Sequence, residues 1–345
     1  MSRRTLTLLL ASLLAVVLTG GAVGAQVPYV ELGPGPTYNT LGRIDGTDVI
    51  TIEGRESFPT EGRLDLTTVG VQPSLTLLEA LRGWFDRDVA VVPRDVVYPP
   101  GQTNEQVNAE NTESMQRSQS NAATAAARQL GLRVSTVSVA EIGAESPARG
   151  RLETGDVLVS IDGTPLRDAA DLRALITAGA VGDVREIGYE RNGLAAITQV
   201  TTASAEVEGQ QLPVIGIMTT EEPLDLPFDV DISLEEVGGP SAGLMFTLGI
   251  LEKLGEASLT GGRYIAGTGE ISASGEVSPI GGIPQKLVAA KAKGVDAFLV
   301  PAGNCAEAML RPPSGLPLIR VATLQQALDG LKALEQDKQP LLCSR

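Results

Sequence analysis

Two glycine-rich segments, residues 238–246 and 275–286, constrain most strongly what this chain can fold into. Each places glycine and proline just before apolar residues at helical spacing, so each predicts a turn that opens a helix. Ser241 lies at the start of one predicted helix and Lys286 at the start of the other. The chain contains no histidine, and lysine is the known substitute for an imidazole that activates a serine. The two segments therefore suggest a Ser–Lys pair.

Ser241 has the surroundings expected of a nucleophile. Pro240 suits the first helical position, where its missing N–H is not needed. The unpaired amides of that first turn can stabilise negative charge on an oxygen. We expect the backbone at Gly239 and the amide of Ala242 to form the approach path and the oxyanion site, since glycine lets a substrate backbone come close. The structural alternative is a serine that only caps the helix.

Lys286 can accept a proton near neutral pH only if its pKa is lowered. A fall from about 10.4 to about 7.5 corresponds to roughly 4 kcal/mol of destabilisation of the ammonium form. The position just after Pro284 favours this fall, because the helix dipole disfavours a cation in the first turn. Apolar neighbours act in the same direction through desolvation. The alternative is an ordinary solvated lysine.

Composition excludes several classes of function. The formal net charge of −15 argues against a nucleic-acid partner, which requires a basic face. The chain lacks a Walker A pattern, so we expect no nucleotide. Without histidine, Cys305 and Cys343 are too few ligands for zinc, and we expect neither metal nor cofactor.

In an exported chain, Cys305 and Cys343 predict one disulfide, which would stabilise the fold by roughly 3–4 kcal/mol. Two free thiols are the alternative.

The N-terminal residues 1–25 predict a membrane anchor. Arg3 and Arg4 precede an uncharged, mainly apolar run over residues 6–25, which as a helix would reach about 30 Å, the thickness of a bilayer core. The arginines predict a cytoplasmic N-terminus. We therefore expect a single-pass protein of the cell membrane with its remaining domains on the extracytoplasmic side. The alternative is a cleaved signal peptide and secretion, because residues 23–25 resemble a cleavage site.

The rest of the chain divides into three predicted parts, because 345 residues exceed one ordinary core. Residues 26–130 read as a small α/β segment that ends in a long alanine-rich helix. Residues 131–205 combine predicted strands, one helix and tight turns. Residues 206–345 contain both glycine-rich segments. The predicted fold class is an α+β multidomain protein in which these three parts follow a transmembrane helix.

Residues 131–205 resemble a PDZ domain of the permuted, bacterial kind. Gly155-Asp-Val-Leu158 and Ile161-Asp-Gly163 stand where that family has its Gly-Asp-x-Ile and Ile-Asp-Gly elements. The resemblance implies a domain that binds the extended end of a peptide as an added β-strand. The alternative is a domain that only separates its neighbours. The sequence does not identify the loop that would bind a peptide carboxylate.

Residues 206–345 resemble the proteolytic domain of Lon proteases, with a mixed α/β fold. Gly239-Pro-Ser-Ala-Gly243 matches the nucleophile motif of that family, and Thr268-Gly-Glu270 matches its Thr-Gly-Glu. Residues 277–286 match its Pro-Ile-Gly-Gly-x-x-x-Lys segment. The resemblance implies that Ser241 is the nucleophile, that Lys286 is the general base, and that Thr268 lines or orders the pair.

One position departs from the Lon pattern. The family has Asp-Gly before the proline, whereas this chain has Gly238 followed by Gly239. An acid that could orient Lys286 is therefore missing from the motif. The acidic residues that could take its place are Asp229, Asp231, Glu235 and Glu236.

The order of the parts resembles membrane-anchored, PDZ-containing Lon-like serine proteases of bacteria, including a Tyr-Pro-Pro-Gly segment at residues 98–101. The resemblance implies an ATP-independent serine endopeptidase that cleaves unfolded or exported proteins selected by the PDZ domain. Its partners would be protein or peptide substrates, the membrane and, in a homo-oligomer, further copies of the chain. The alternative is a membrane-tethered PDZ adaptor or chaperone whose Lon-like domain is inactive.

Overall fold

The computed structural model describes residues 3–207, 209–234 and 237–344, which form two compact units. The first unit combines residues 1–123 with residues 230–345, and the second unit consists of residues 124–229. The second unit is thus inserted in sequence between the two parts of the first.

The N-terminal part of the first unit is mainly strands. The helices of this part of the chain are α1 (Arg3–Gly24), α2 (Leu77–Phe85), α3 (Arg94–Val97) and α4 (Asn104–Gln129), whose last turns belong to the second unit. The strands are β1 (Gln26–Val27), β2 (Tyr29–Asn39), β3 (Arg43–Ile44), β4 (Thr47–Asp48), β5 (Ile50–Glu53), β6 (Arg63–Gln72), β7 (Leu75–Thr76) and β8 (Ala90–Pro93).

The second unit is built on one antiparallel sheet with one helix. Its elements are β9 (Ser135–Ile142), β10 (Val157–Ile161), β11 (Thr164–Pro165), α5 (Ala169–Thr177), β12 (Val184–Arg191), β13 (Leu194–Thr201), β14 (Ala203–Val207), β15 (Gln210–Val214) and β16 (Ile217–Pro223). The strands follow the order β13-β12-β10-β9-β16, with β11 on β10, while β14 and β15 form a separate hairpin. The sheet and α5 enclose an aliphatic core that includes Leu158, Leu172 and Ile187.

The C-terminal part of the first unit alternates strands and helices. Its elements are β17 (Asp229–Ile232), a 3₁₀ turn (Pro240–Ala242), α6 (Gly243–Leu254), β18 (Tyr264–Gly267), β19 (Glu270–Ile271), β20 (Val277–Ser278), α7 (Ile283–Lys293), β21 (Ala297–Pro301), a 3₁₀ turn (Ala302–Asn304), α8 (Cys305–Ala308), β22 (Leu318–Val321) and α9 (Leu324–Glu335).

One mixed sheet joins the two parts of the first unit, in the order β22-β21-β18-β6-β2-β8. Strand β18 pairs in parallel with both β21 and β6, whereas β2 pairs antiparallel with β6 and β8. Every residue of β21 is buried, as expected for a central parallel strand that is covered on both faces. The N-terminal segment therefore supplies half of the sheet that supports the glycine-rich segments.

The predicted transmembrane anchor at residues 1–25 is wrong. Helix α1 spans 22 residues, but over the part of the chain that the structure describes, no helix combines the length and the apolar character that crossing a membrane requires. The predicted fold class and the predicted single-pass location both included this anchor and are corrected here.

Cys305 and Cys343 form a disulfide bridge. Cys305 begins α8, and Cys343 follows α9 near the C-terminus. Both sulfur-bearing residues are buried in an apolar cluster that also contains Ile283 and Leu287 of α7. The bridge therefore joins the C-terminal segment to α8, within the same apolar cluster as the helix that carries Lys286.

Removing this bridge should lower the free energy of unfolding. The cysteines are 38 residues apart, and a loop of that length contributes about 4 kcal/mol on the chain-entropy model. Guanidinium unfolding of the oxidised protein, with and without reductant, measures the difference. The Cys305→Ala/Cys343→Ala variant is the control, because its unfolding midpoint should not respond to reductant. Equal midpoints for oxidised and reduced wild-type protein would contradict the prediction.

Candidate active site

The chain makes a sharp turn immediately before Ser241. Gly239 has φ of 85° and ψ of 166°, a conformation that side-chain-bearing residues rarely adopt, and no atom lies within 4 Å of where its Cβ would be. The 3₁₀ turn that begins at Pro240 continues directly into α6. Ser241 therefore lies in the first turn of a helix, where backbone amides have no acceptor within the helix.

Ser241, Lys286 and Thr268 are brought together at this turn. Lys286 Nζ lies 2.9 Å from Ser241 Oγ and 2.8 Å from Thr268 Oγ1, and it donates a hydrogen bond to each. Thr268 Oγ1 in turn donates to the carbonyl oxygen of Ser241 at 2.9 Å. Lys286 is only 2% exposed and Thr268 is fully buried. The three residues form a hydrogen-bonded cluster in which Lys286 and Thr268 are buried and Ser241 is half-buried.

Burial controls the protonation of this cluster. Desolvation lowers the pKa of Lys286 to about 8, because a low-dielectric environment disfavours the ammonium ion. Among the residues that the structure describes, none places a carboxylate within salt-bridge distance of Lys286 Nζ. A substantial fraction of the lysine is therefore neutral at slightly alkaline pH, as a general base requires.

Of the acidic residues proposed to orient Lys286, the two that the structure describes, Asp229 and Asp231, form no ion pair with it. Asp231 accepts a hydrogen bond from the Ser233 hydroxyl at 3.0 Å, and Asp229 is exposed on β17. Glu235 and Glu236 lie outside the described residues. The Thr268 hydroxyl contacts the amine where a carboxylate was expected.

A cavity of about 470 Å³ opens beside the pair. Ser241, Ala242 and Lys286 lie on one side, and residues Thr67 to Gly70 of β6 lie on another. Strand β6 pairs with β18 only from Arg63 to Leu66, so the following residues border the cavity after β18 has ended. An extended peptide could run along this part of β6 and reach Ser241, in the manner of an added strand.

Asn304 holds the loop that precedes Lys286, although no sequence motif marks it. The Asn304 side chain accepts from the Ile280 amide and donates to the Ile280 carbonyl, both at 2.8 Å. Gly282 then adopts φ of 73°, and a side chain there would meet Val69 of β6 at 2.6 Å. These contacts determine where α7 begins and so where Lys286 lies.

Helix α4 supports the nucleophile turn, although it lies outside both glycine-rich segments. The Asn111 carbonyl accepts from the Gly239 amide at 3.0 Å, and the Ser118 hydroxyl donates to the Pro240 carbonyl at 3.0 Å. Asn121 donates to the Ile271 carbonyl at 3.1 Å. No sequence motif marks these three residues, because each one bonds a backbone group that lies more than a hundred residues later in the chain.

A second cavity, of about 400 Å³, lies in the second unit between α5 and the chain around β15 and β16. Leu172 and Ile176 of α5 face Ile215 and Ile217 across it. The chain turns at Gly216, whose φ is 71°. Strand β16 pairs with β9 and is an edge strand of the sheet. This groove lies beside an edge strand, where an extended peptide could add.

The two short motifs behind the PDZ resemblance have structural roles. Asp156 of the Gly-Asp motif is buried and forms a two-pronged ion pair with Arg191, whose hydrogen bonds lower the pKa of the carboxyl group. Asp162 and Gly163 form the turn between β10 and β11, both with positive φ. Neither motif lines the groove.

Two family models match the chain. Residues 235–330 match the Lon protease (S16) C-terminal proteolytic domain, and residues 108–202 match the PDZ domain. The chain contains a Lon-type proteolytic domain and a PDZ domain. Ser241 and Lys286 both lie in the Lon match, whereas Asn111 and Ser118 lie in the PDZ match, although they support the nucleophile turn.

Several solved structures are similar to the PDZ part. The PDZ domain of the SdrC-like protein from Listeria monocytogenes is 25% identical and aligns with 24% of this chain and 85% of its own, with a TM-score of 0.23. The corresponding domain from Listeria innocua is 26% identical, with 24% and 92% covered and a TM-score of 0.23. Among curated proteins, none shows a significant match.

The reactivity of Ser241 should depend on pH through Lys286. The amine must be neutral to accept the serine proton, and burial lowers its pKa to about 8. Labelling of Ser241 by a fluorophosphonate should therefore accelerate as pH rises, reach half its maximum near pH 8, and then level off. The rate is measured by gel fluorescence between pH 6 and 10, with Ser241→Ala as the blank. A constant rate, or a midpoint above pH 10, would show that Lys286 is not the base.

Proposed function

We propose that the chain is an ATP-independent serine endopeptidase in which Ser241 and Lys286 form a catalytic dyad. The observation that carries this proposal is the 2.9 Å contact between the Ser241 hydroxyl and the amine of Lys286. Ser241 lies at the N-terminus of a helix, and the buried amine has no carboxylate partner among the described residues. A buried amine with no carboxylate partner is unfavourable for folding alone, and such arrangements concentrate at functional sites. The match to a Lon-type proteolytic domain supports peptide hydrolysis as the chemistry.

The reaction would proceed through an acyl-enzyme. Neutral Lys286 accepts the hydroxyl proton of Ser241 while Oγ attacks the peptide carbonyl carbon. The oxyanion that forms is held by the first-turn amides of Ser241 and Ala242. The ammonium of Lys286 then gives its proton to the departing amine, which leaves as the C-terminal product. Water then attacks the ester while Lys286 accepts one of its protons. The ammonium returns that proton to Ser241 Oγ as the N-terminal product leaves, which regenerates the hydroxyl and the neutral amine.

Thr268 would orient the amine for this reaction. Its hydroxyl proton is directed to the Ser241 carbonyl, so its oxygen can only accept from Lys286 Nζ. A neutral amine that donates one proton to Thr268 keeps its lone pair for another neighbour, and Ser241 Oγ is that neighbour. Thr268 thereby performs the orienting role that an acid was expected to have.

The cavity favours extended substrates. A peptide running along Thr67 to Gly70 would be held mainly through its backbone, which accepts many sequences. Folded proteins do not present such a segment, and the sequence contains no Walker A motif for an unfolding motor. Unfolded proteins and flexible chain ends are therefore the proposed substrates. The homo-oligomer implied by the Lon resemblance remains a prediction.

The groove between α5 and β16 would select substrates by their C-termini. An extended peptide would add to the open edge of β16, with its terminal carboxylate at the backbone amides of the turn around Gly216. The aliphatic walls supplied by Leu172, Ile176 and Ile215 favour an apolar last residue. Sequence patterns left this loop unassigned.

Casein hydrolysis by the full chain without ATP tests the proposed chemistry. Ser241→Ala and Lys286→Ala should each lower the rate at least about 1,000-fold, since each removes a member of the catalytic unit. Lys291→Ala is the matched control, because Lys291 is exposed near the end of the same helix. If hydrolysis persists in Ser241→Ala, the proposal fails. An inactive wild-type protein would favour the adaptor or chaperone.

Peptide binding tests the proposed selection. A fluorescent peptide ending in a free leucine carboxylate should bind the full chain, whereas its C-terminal amide should bind at least about tenfold more weakly, because a charged acceptor is lost. Leu172→Ala should also weaken binding through lost groove contacts. Leu194→Ala makes the same change at an exposed position of β13 and serves as control. Equal affinities for acid and amide would exclude carboxylate recognition.

A further inference from the structure

We propose that Ser118 on helix α4 is a positioning residue that aims the Ser241 amide at the oxyanion. This inference rests on the proposed function and concerns how the oxyanion site is built. Ser118 is 1% exposed, and its hydroxyl donates to the carbonyl of Pro240, the residue immediately before the nucleophile. It touches neither the nucleophile oxygen nor the lysine.

Planarity of the peptide bond links this contact to the reacting site. In a trans peptide the carbonyl of one residue and the N–H of the next lie in one plane and point in opposite directions. No cis peptide occurs among the described residues. A donor that holds the Pro240 carbonyl therefore fixes the direction of the Ser241 N–H. Because the carbonyl points toward α4, the amide points away from that helix.

The neighbouring peptide is held in the same way. The Ser241 carbonyl accepts from the Thr268 hydroxyl and from the Gly269 amide, and this fixes the direction of the Ala242 N–H. The Pro240 carbonyl likewise has two donors, the Gly243 amide within the turn and Ser118 from outside it. Each of the two proposed oxyanion donors thus follows a carbonyl that is held from outside the turn.

Tight packing shows that the Ser118 contact is built into this site. A side chain at Gly243 would approach Ser118 Oγ to 2.8 Å, so helix α6 must begin with a glycine to let the hydroxyl reach the carbonyl. Earlier on α4, the carbonyl of Asn111 accepts a hydrogen bond from the Gly239 amide. Helix α4 therefore holds the Gly238–Gly239 peptide and the Pro240–Ser241 peptide.

Replacing Ser118 should impair transition-state stabilisation more than substrate binding. Loss of a complete oxyanion donor lowers kcat about 100- to 1,000-fold, and a donor that is only misdirected should lose less, about tenfold. In Ser118→Ala we expect kcat/KM for a fluorogenic peptide to fall about tenfold, with KM within about twofold of wild type. The midpoint of the pH–rate profile should stay near 8, because Lys286 is not altered.

A peptide aldehyde provides the readout that a merely structural role would not change. The aldehyde adds to the serine and forms an oxyanion, so its inhibition constant should rise by the same factor as kcat/KM falls. The matched control is Ser114→Ala, one helical turn earlier on α4. If Ser118→Ala retains the kcat/KM of Ser114→Ala, or loses activity with unchanged aldehyde affinity, the inference is wrong.

Two further measurements distinguish failure of this inference from failure of the proposed dyad and from misfolding of the variant. Wild-type, Ser241→Ala and Lys286→Ala proteins in the same assay test the dyad itself, so loss of the proposed function is recognised independently. If thermal unfolding shows no folded Ser118→Ala protein, Ser118→Cys is used instead. Its thiol can still donate to the Pro240 carbonyl, but only weakly. An intermediate kcat with a parallel change in aldehyde affinity would support the inference, and wild-type values would overturn it.

Discussion

The contact between a buried lysine amine and a serine hydroxyl is the constraint on which the rest of the catalytic unit depends. Burial lowers the pKa of Lys286 to about 8, but a carboxylate beside it would stabilise the ammonium and raise the pKa again. The surroundings of Lys286 must therefore satisfy its amine without placing a negative charge beside it. Its described hydrogen-bond partners are two hydroxyls, from Ser241 and Thr268, which satisfy the amine without adding charge. The replacement of aspartate by Gly238 is consistent with the same requirement.

Such a cluster must be held by elements that are distant in sequence. The nucleophile turn precedes α6, Thr268 follows β18, and Lys286 lies in α7. Strand β18 pairs in parallel with β6 at residues about two hundred positions earlier, and β6 also forms a wall of the cavity. A parallel pairing requires a long connection between its strands. The inserted second unit lies within that connection without interrupting the sheet.

Local features of the site could be predicted from sequence, whereas its supports could not. Glycine and proline fix the starts of the helices at Pro240 and Ile283, because they determine backbone conformation locally. Asn304, Ser118 and strand β16 have no such signature. Ser118 acts through one hydrogen bond and Asn304 through two, all to distant backbone atoms. Strand β16 lies beyond residues 131–205, where the PDZ resemblance was placed. The apolar run at residues 6–25 predicted a membrane anchor, and that prediction is wrong, because no described helix is long and apolar enough to span a membrane.

The match to the Lon-type domain begins at residue 235, but the unit that would perform the proposed chemistry cannot begin there. A fragment that starts after the PDZ domain would lack β6, so β18 would lose one of its two parallel partners and the cavity would lose a wall. It would also lack α4, which accepts from the Gly239 amide and donates to the Pro240 carbonyl. The motif residues would all be present, yet neither the oxyanion amides nor the substrate path would be fixed. The proposed functional unit is therefore discontinuous in sequence, because β6 and α4 contribute to it together with the glycine-rich segments.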